Sequence, residues 1–347
     1  MHRARLPVAP AAIGALVAIV AIVAIVAIGA PLLLAACAGL GGDDGGGANL
    51  PNRGVAPWER LSPDGESLYL ITPEDAGAAA IGGPHARVHG GLVHLYFHVE
   101  PSDDGPARIV RASSADGVAF DPPVEVLAGG RSPSVALGPD GTWWLAFLDE
   151  AGAIALAPSP DGETFDAPSA ARAISPEPGE VLGRPSLLLD GGGATLYFAT
   201  HAEGGLPEIA WAEAGADLNF TRRGPVFSPE DPCLDRDGAA LPCWDGLAVS
   251  APEVRRATSG ADRELLRMFY LGGRTGRGAV GFAASFDGLT WSRYAFNPVL
   301  AGSFEVDSPT NVLFGDAYYL YWAEERGVSR RGIAGAINRR GAPSESF

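Results

Sequence analysis

The chain has 347 residues, 47% of them hydrophobic, enough for one large domain or two small ones. Its net charge is −16 and all 25 basic residues are arginine, which argues against a nucleic-acid groove and excludes any lysine nucleophile or Schiff base. The 47 glycines and 29 prolines point to many turns and little long helix.

At the N-terminus, Arg3 and Arg5 precede an apolar run from Val8 to Ala36 that ends in Leu34-Ala35-Ala36-Cys37, followed by Ala38-Gly39. This arrangement resembles a bacterial lipoprotein signal with its lipobox. The resemblance implies that residues 1–36 are a signal peptide and that Cys37 is diacylated and becomes the first mature residue. Residues 37–55 then form a Gly-rich flexible tether. The run is also long enough to span a bilayer as an uncleaved anchor. Both readings place residues 38–347 outside the cytoplasm, with the membrane as a partner through the N-terminal anchor. Ala38 implies outer-membrane sorting if the host is Gram-negative.

Residues 56–347 repeat one pattern five times. Each unit opens with a Pro-containing lead-in to an apolar strand: Gly83-Pro84, Ser132-Pro133, Arg184-Pro185, Ala251-Pro252 and Ser308-Pro309. An aromatic-rich strand follows at 92–99, 142–148, 194–200, 265–271 and 318–324. A small-residue strand then runs into a turn at 109–120, 154–165, 209–220 and 280–291, and the fifth unit supplies only 333–340. Short strands with turn signals at this spacing predict four-stranded antiparallel blades, hence an all-β five-bladed propeller. The fifth unit lacks an outer strand, and the segment at 56–61 is expected to complete it and close the ring. Asp116-Gly117, Asp161-Gly162 and Asp287-Gly288 read as blade turns that count the blades, with no catalytic part.

Four histidines fall in unit one. If Gly90-Gly91 is a two-residue turn, His89 faces Leu92 and His85 faces Tyr96, so His85, His89, His94 and His98 share a face. His94 and His98 are too far apart along a strand to bind one metal ion directly, so no cofactor is expected. In unit four, Cys233 and Cys243 bracket a short loop with Asp237-Gly238 at its tip and read as a disulfide.

Five such units, with Ser-x-Asp-Gly turns ending in Phe or Trp and Asn297-Pro298-Val299-Leu300 after the fourth, resemble the five-bladed propellers of glycoside hydrolase families 32, 43 and 68. Sialidases match less well, because their turn is one residue longer and they carry six blades. The resemblance implies acids at the channel ends of the inner strands, since one carboxyl protonates the leaving oxygen while the other attacks or activates water. Here those places hold Gly82-Gly83-Pro84-His85, Arg131-Ser132-Pro133 and Gly183-Arg184-Pro185, with Glu180 a relocated alternative. Aligning the units gathers His85, Arg131, Arg184, Asp245 and Asp307 at one channel end, with Trp244 and Glu305 close by. Such a mouth can bind a sugar, with Asp245 and Asp307 as relocated acids, or its charges can pair among themselves. Two functions follow: glycan binding or processing at the channel mouth, or a non-enzymatic propeller, expected as a monomer, that binds a protein or envelope component. The missing acids favour binding.

Overall fold

The computed structural model describes residues 58–101, 105–166, 171–230, 232–234, 240–241, 243–257, 264–273, 278–301, 305–325 and 331–339. The expected signal peptide, Cys37 and the tether lie outside the described residues, as does the side chain of Cys233.

Five four-stranded antiparallel sheets are arranged as blades. A short strand β1 (Glu59–Arg60) comes first. Blade one is β2 (Ala80–His89), β3 (Leu92–Glu100), β4 (Arg108–Ser114) and β5 (Val124–Ala128). Blade two is β6 (Arg131–Leu137), β7 (Trp143–Leu148), β8 (Ile154–Ser159) and β9 (Ala171–Ile174). Blade three is β10 (Glu180–Asp190), β11 (Gly193–Ala202), β12 (Glu208–Ala214) and β13 (Thr221–Phe227). Residues Cys233–Leu234 (β14) and Ala240–Leu241 (β15) pair as a small hairpin of their own. Blade four is β16 (Ala248–Arg256), β17 (Leu266–Gly273), β18 (Gly278–Ser285) and β19 (Ser292–Arg293), and blade five is β20 (Glu305–Phe314), β21 (Ala317–Glu325) and β22 (Gly332–Asn338). The first strands of successive blades touch in a closed cycle, with β20 returning to β2.

The expected closure is observed. β1 pairs with β22 through Glu59↔Ile337 and Arg60↔Ala336, giving blade five its outer strand. Arg60 clamps the buried Glu324 with both terminal nitrogens, at 2.9 and 3.0 Å. The Gly90-Gly91 turn has both glycines at positive φ and sets His85 opposite Tyr96 and His89 opposite Leu92, as the sequence predicts.

The strands are apolar on both sides because each blade is covered by two neighbours. In β3, Val93 to Phe97 are all buried, whereas the outer strand β13 is mostly exposed. The core is accordingly divided into large clusters between adjacent blades. Tyr197, Ile209, Val254 and Met268, for example, fill the gap between blades three and four.

Each inner strand carries a bulge at its proline, between Gly82 and His85, Arg131 and Ser134, Leu182 and Pro185, Ser250 and Glu253, and Asp307 and Thr310. Ser132, Ala251 and Ser308, each preceding a proline, are held at φ of 52, 47 and 53°. Side-chain-bearing residues resist that region, so the strain recurs at the same level of three blades. The bulges free backbone groups from the sheet ladders and turn them to the channel, where they gain other partners.

The Ser-x-Asp-Gly turns join blades to one another. In the third, the Ser285 hydroxyl accepts the Gly288 N–H at 2.9 Å, and Asp287 Oδ1 accepts Leu289 and Thr290 N–H at 2.8 and 2.7 Å. The Gly288 carbonyl then accepts the Tyr197 hydroxyl of blade three at 3.1 Å. Tyr96 of blade one reaches Gly162 of blade two in the same way, and Tyr321 of blade five reaches Gly117 of blade one, each at 2.9 Å. At this place on the second strand blades two and four carry Ala146 and Phe269, paired with Ser134 and Glu253. The blades that follow them, three and five, carry no Ser-x-Asp-Gly turn. The turn thus marks a joint between blades, and it counts joints where the sequence suggested it counts blades.

Candidate functional site

The inner strands run in the same sense, so residues early in each share one mouth of the channel and late residues share the other. The residue after each proline lies between, at His85, Ser134, Ser186, Glu253 and Thr310. Four of them bridge to the next blade. Thr310 Oγ1 accepts Ala86 N–H, Ser134 Oγ accepts Leu187 N–H and Ser186 Oγ accepts Val254 N–H, each at 2.9 Å, while His85 Nε2 lies 3.0 Å from the Val135 carbonyl.

The fifth, Glu253, turns to the centre. Its side chain is fully buried and takes His85 Nδ1 at 3.2 Å, Arg184 Nη2 at 3.2 Å and Arg255 Nε at 2.7 Å. Arg184 also donates to the Pro309 carbonyl at 2.9 Å and the Pro84 carbonyl at 2.7 Å, both freed by bulges. Arg255 reaches across to the Ala86 carbonyl. Side chains from blades one, three and four therefore close the channel at mid-depth. Burial pushes the Glu253 carboxyl up, but His85, Arg255 and Arg184 together hold it well below the usual carboxylate range. Burial pushes the His85 imidazole down to about 4, against the pull of Glu253. Near neutrality the ring therefore holds one proton, which serves either Glu253 or the Val135 carbonyl and not both.

Above this plug, at the mouth where the inner strands begin, His98 lies over Gly82 and Gly83. A Cβ on Gly82 would fall 2.9 Å from His98 Cε1. The place at which the resemblance implies an acid in blade one is thus filled by an imidazole. Ser132 N–H donates to His98 Nδ1 at 3.4 Å. Burial pushes His98 down to about 4, with Asp307 and Glu100 pulling up and Arg131 and Arg331 pushing down. Asp307 accepts Arg331 Nη1 at 3.1 Å and the Ser308 hydroxyl at 3.0 Å. Glu305 lies 4.0 Å from the same guanidinium, and Arg131 lies 3.4 Å from Glu100.

The seven sequence candidates thus separate. His85 and Arg184 belong to the plug, below the mouth at which the alignment gathered them. Arg131, Asp307 and Glu305 stand at that mouth. Asp245 is 1% exposed and lies between blades three and four, where its Oδ2 accepts the Tyr270 hydroxyl and Arg293 Nε, both at 2.9 Å. Trp244 packs beside it against Tyr270, ring centroids 5.7 Å apart. Glu180 is tied by Arg222 and Thr200, and the Arg222 hydrogen bonds hold its carboxyl down to about 2. Sequence reasoning missed Glu253, His98 as a mouth residue and Arg331. The available signal for Glu253 was that every residue after an inner-strand proline is polar within an otherwise apolar run. The four histidines share a face, as predicted, but they are engaged separately: His89 stacks edge-on to Trp143 at 5.0 Å and His94 Nδ1 meets the Ser113 hydroxyl at 2.8 Å. No group of three or more metal-ligating residues gathers among the described residues.

The fold defines a class, the five-bladed propellers found among glycoside hydrolases. A solved glycoside hydrolase matches at TM-score 0.62 with 14% identity, over 84% of this chain and 94% of its own. A thermostable family-43 glycoside hydrolase matches at 0.54 with 16% identity, over 75% and 88%. An alpha-L-arabinofuranosidase from Podospora anserina, solved with cellotriose, matches at 0.60 with 12% identity, over 84% and 99%. At these identities the likeness establishes the fold. No protein-family model and no curated protein matches the chain.

Proposed function

We propose that the propeller binds glycans at the mouth where the inner strands begin, on a lipid-tethered extracytoplasmic protein. The observation that carries this reading is the cluster of His98, Arg131, Asp307 and Arg331 at that mouth, above a sealed floor. Such a rim offers fixed donors and acceptors to sugar hydroxyls, in a fold whose solved counterparts act on or hold saccharides. Binding is favoured over hydrolysis because the less exposed carboxylates are already engaged, Asp307 by Arg331, Glu180 by Arg222 and Glu253 within the plug, while the exposed Glu100 and Glu305 at the mouth lie 3.4 and 4.0 Å from Arg131 and Arg331. A two-carboxylate mechanism needs one acid free to donate a proton and a second free to attack or activate water. Under this reading Cys37 carries the lipid, residues 37–55 form the tether, and Cys233 pairs with Cys243.

A glycan array, followed by titration of the best saccharide, tests the reading. Arg131→Ala and Asp307→Asn each weaken binding by about tenfold or more, equivalent to about 1.4 kcal/mol. Asp245→Asn leaves binding unchanged, since that carboxylate faces Arg293 and Tyr270. Silence across the array would favour the second reading, a face that binds a protein or envelope component.

A further inference from the structure

The opposite mouth, where the inner strands end, has a different chemistry. A cavity of about 320 Å³ opens there, and its lining includes Arg87, Arg255, Arg256, Arg267, Asn311 and Tyr318. Among the described residues that line it, none is acidic. In a chain of net charge −16 this inverts the overall sign and concentrates positive potential in one concave place. Arg255 leans on Glu253 in the plug below, and Arg267 donates to the Tyr318 hydroxyl at 3.2 Å.

Arg87 and Arg256 have no ion pair or hydrogen bond from their side chains among the described residues. Arg87 is partly buried beside Arg255, and burial together with that like charge holds its pKa down to about 10. Asn311 is only 9% exposed, and its amide has no hydrogen-bond partner among the described residues. Two guanidinium groups and an amide thus present unused donors to one cavity, and guanidinium forks match the paired oxygens of carboxylate, phosphate and sulfate.

We infer that this cavity is a binding site for a small oxyanionic ligand, with carboxylate, phosphate or sulfate groups on a molecule about the size of a monosaccharide. Arg87 and Arg256 supply the charge that meets the anion, Asn311 a neutral donor, and Arg255 a fixed positive wall anchored by Glu253. The site lies across the plug from the proposed glycan mouth and stands or falls independently of it.

Calorimetric titration of the full chain at low salt, with inorganic phosphate, citrate, a hexose 6-phosphate and a hexuronate in separate arms, tests the site and distinguishes its chemistry. Saturable binding of at least one anion is expected, weakening as sodium chloride is added. Arg87→Met, which keeps the aliphatic stem, and Arg256→Gln, at an exposed position, each weaken it by about tenfold or more. Arg87→Met leaves Tm unchanged or raised, because the charge removed has no partner, whereas an arginine serving only the fold would lower it. Failure of all four anions to bind at millimolar concentration overturns the proposal, as does binding that is equal in both variants.

Discussion

The blades are joined twice, once around the channel and once near the rim, and the two joints are built from different chemistry. The inner joint is charged and buried apart from the outer part of Arg255, and it converges on a single carboxylate, Glu253, that three cationic or basic side chains reach from blades one, three and four. The rim joint is neutral and pairwise, a tyrosine hydroxyl on a turn carbonyl, and is present between blades five and one, one and two, and three and four. The difference concerns redundancy. A rim joint can be absent, as between blades two and three, where apolar packing of Leu187, Leu196 and Ala146 fills the gap. The inner joint has no such substitute, because each of its charges is kept in the interior by the others.

Removing the inner carboxylate should have the largest effect. Glu253→Ala leaves Arg184 and Arg255 facing each other in the interior, and a loss of about 3–5 kcal/mol in urea unfolding is expected. A loss below about 1 kcal/mol would place the plug among ordinary surface ion pairs and erase the contrast.

Acid should lower the stability of the fold through the same joint. The His85 imidazole is held down to about 4 when folded, against about 6.5 when free. Between those values the unfolded chain binds a proton that the folded chain refuses, so unfolding free energy falls as pH drops from about 6.5 to 4. His98, also held down to about 4, acts in the same direction. A stability profile flat across this window would contradict it.

The rim joint should show the smallest change. Tyr197→Phe deletes only the hydroxyl on the Gly288 carbonyl, and about 1 kcal/mol is expected. In a double-mutant cycle with Ser285→Ala, which loosens the turn that aims this carbonyl, the two effects should couple. Strict additivity would mean that tyrosine and turn act separately.

Most of the scaffold could be read from the sequence because it is written locally and repeated. The five prolines, the aromatic second strands, the Gly90-Gly91 turn and the closing segment each declare themselves within a few residues. The site was less accessible for physical reasons. Tyr197 and Gly288 stand 91 positions apart, so their bond appears only as a tyrosine in one unit that accompanies a turn in the next. Asp245 precedes its proline at a plausible distance, but the intervening chain lays it over blade four, where Arg293 from the outer strand captures it. Glu253 is invisible as a hub until the bulges bring two other inner strands, β2 and β10, against it.

The closure by β1 fixes an order of events. Glu59 and Arg60 belong to the earliest-made part of the propeller, and their partners in β22 and at Glu324 are among the last described residues to be synthesised. The blade that contains both strands cannot form until β22 has been synthesised. Until then the first strand has no partner, and the ring stays open.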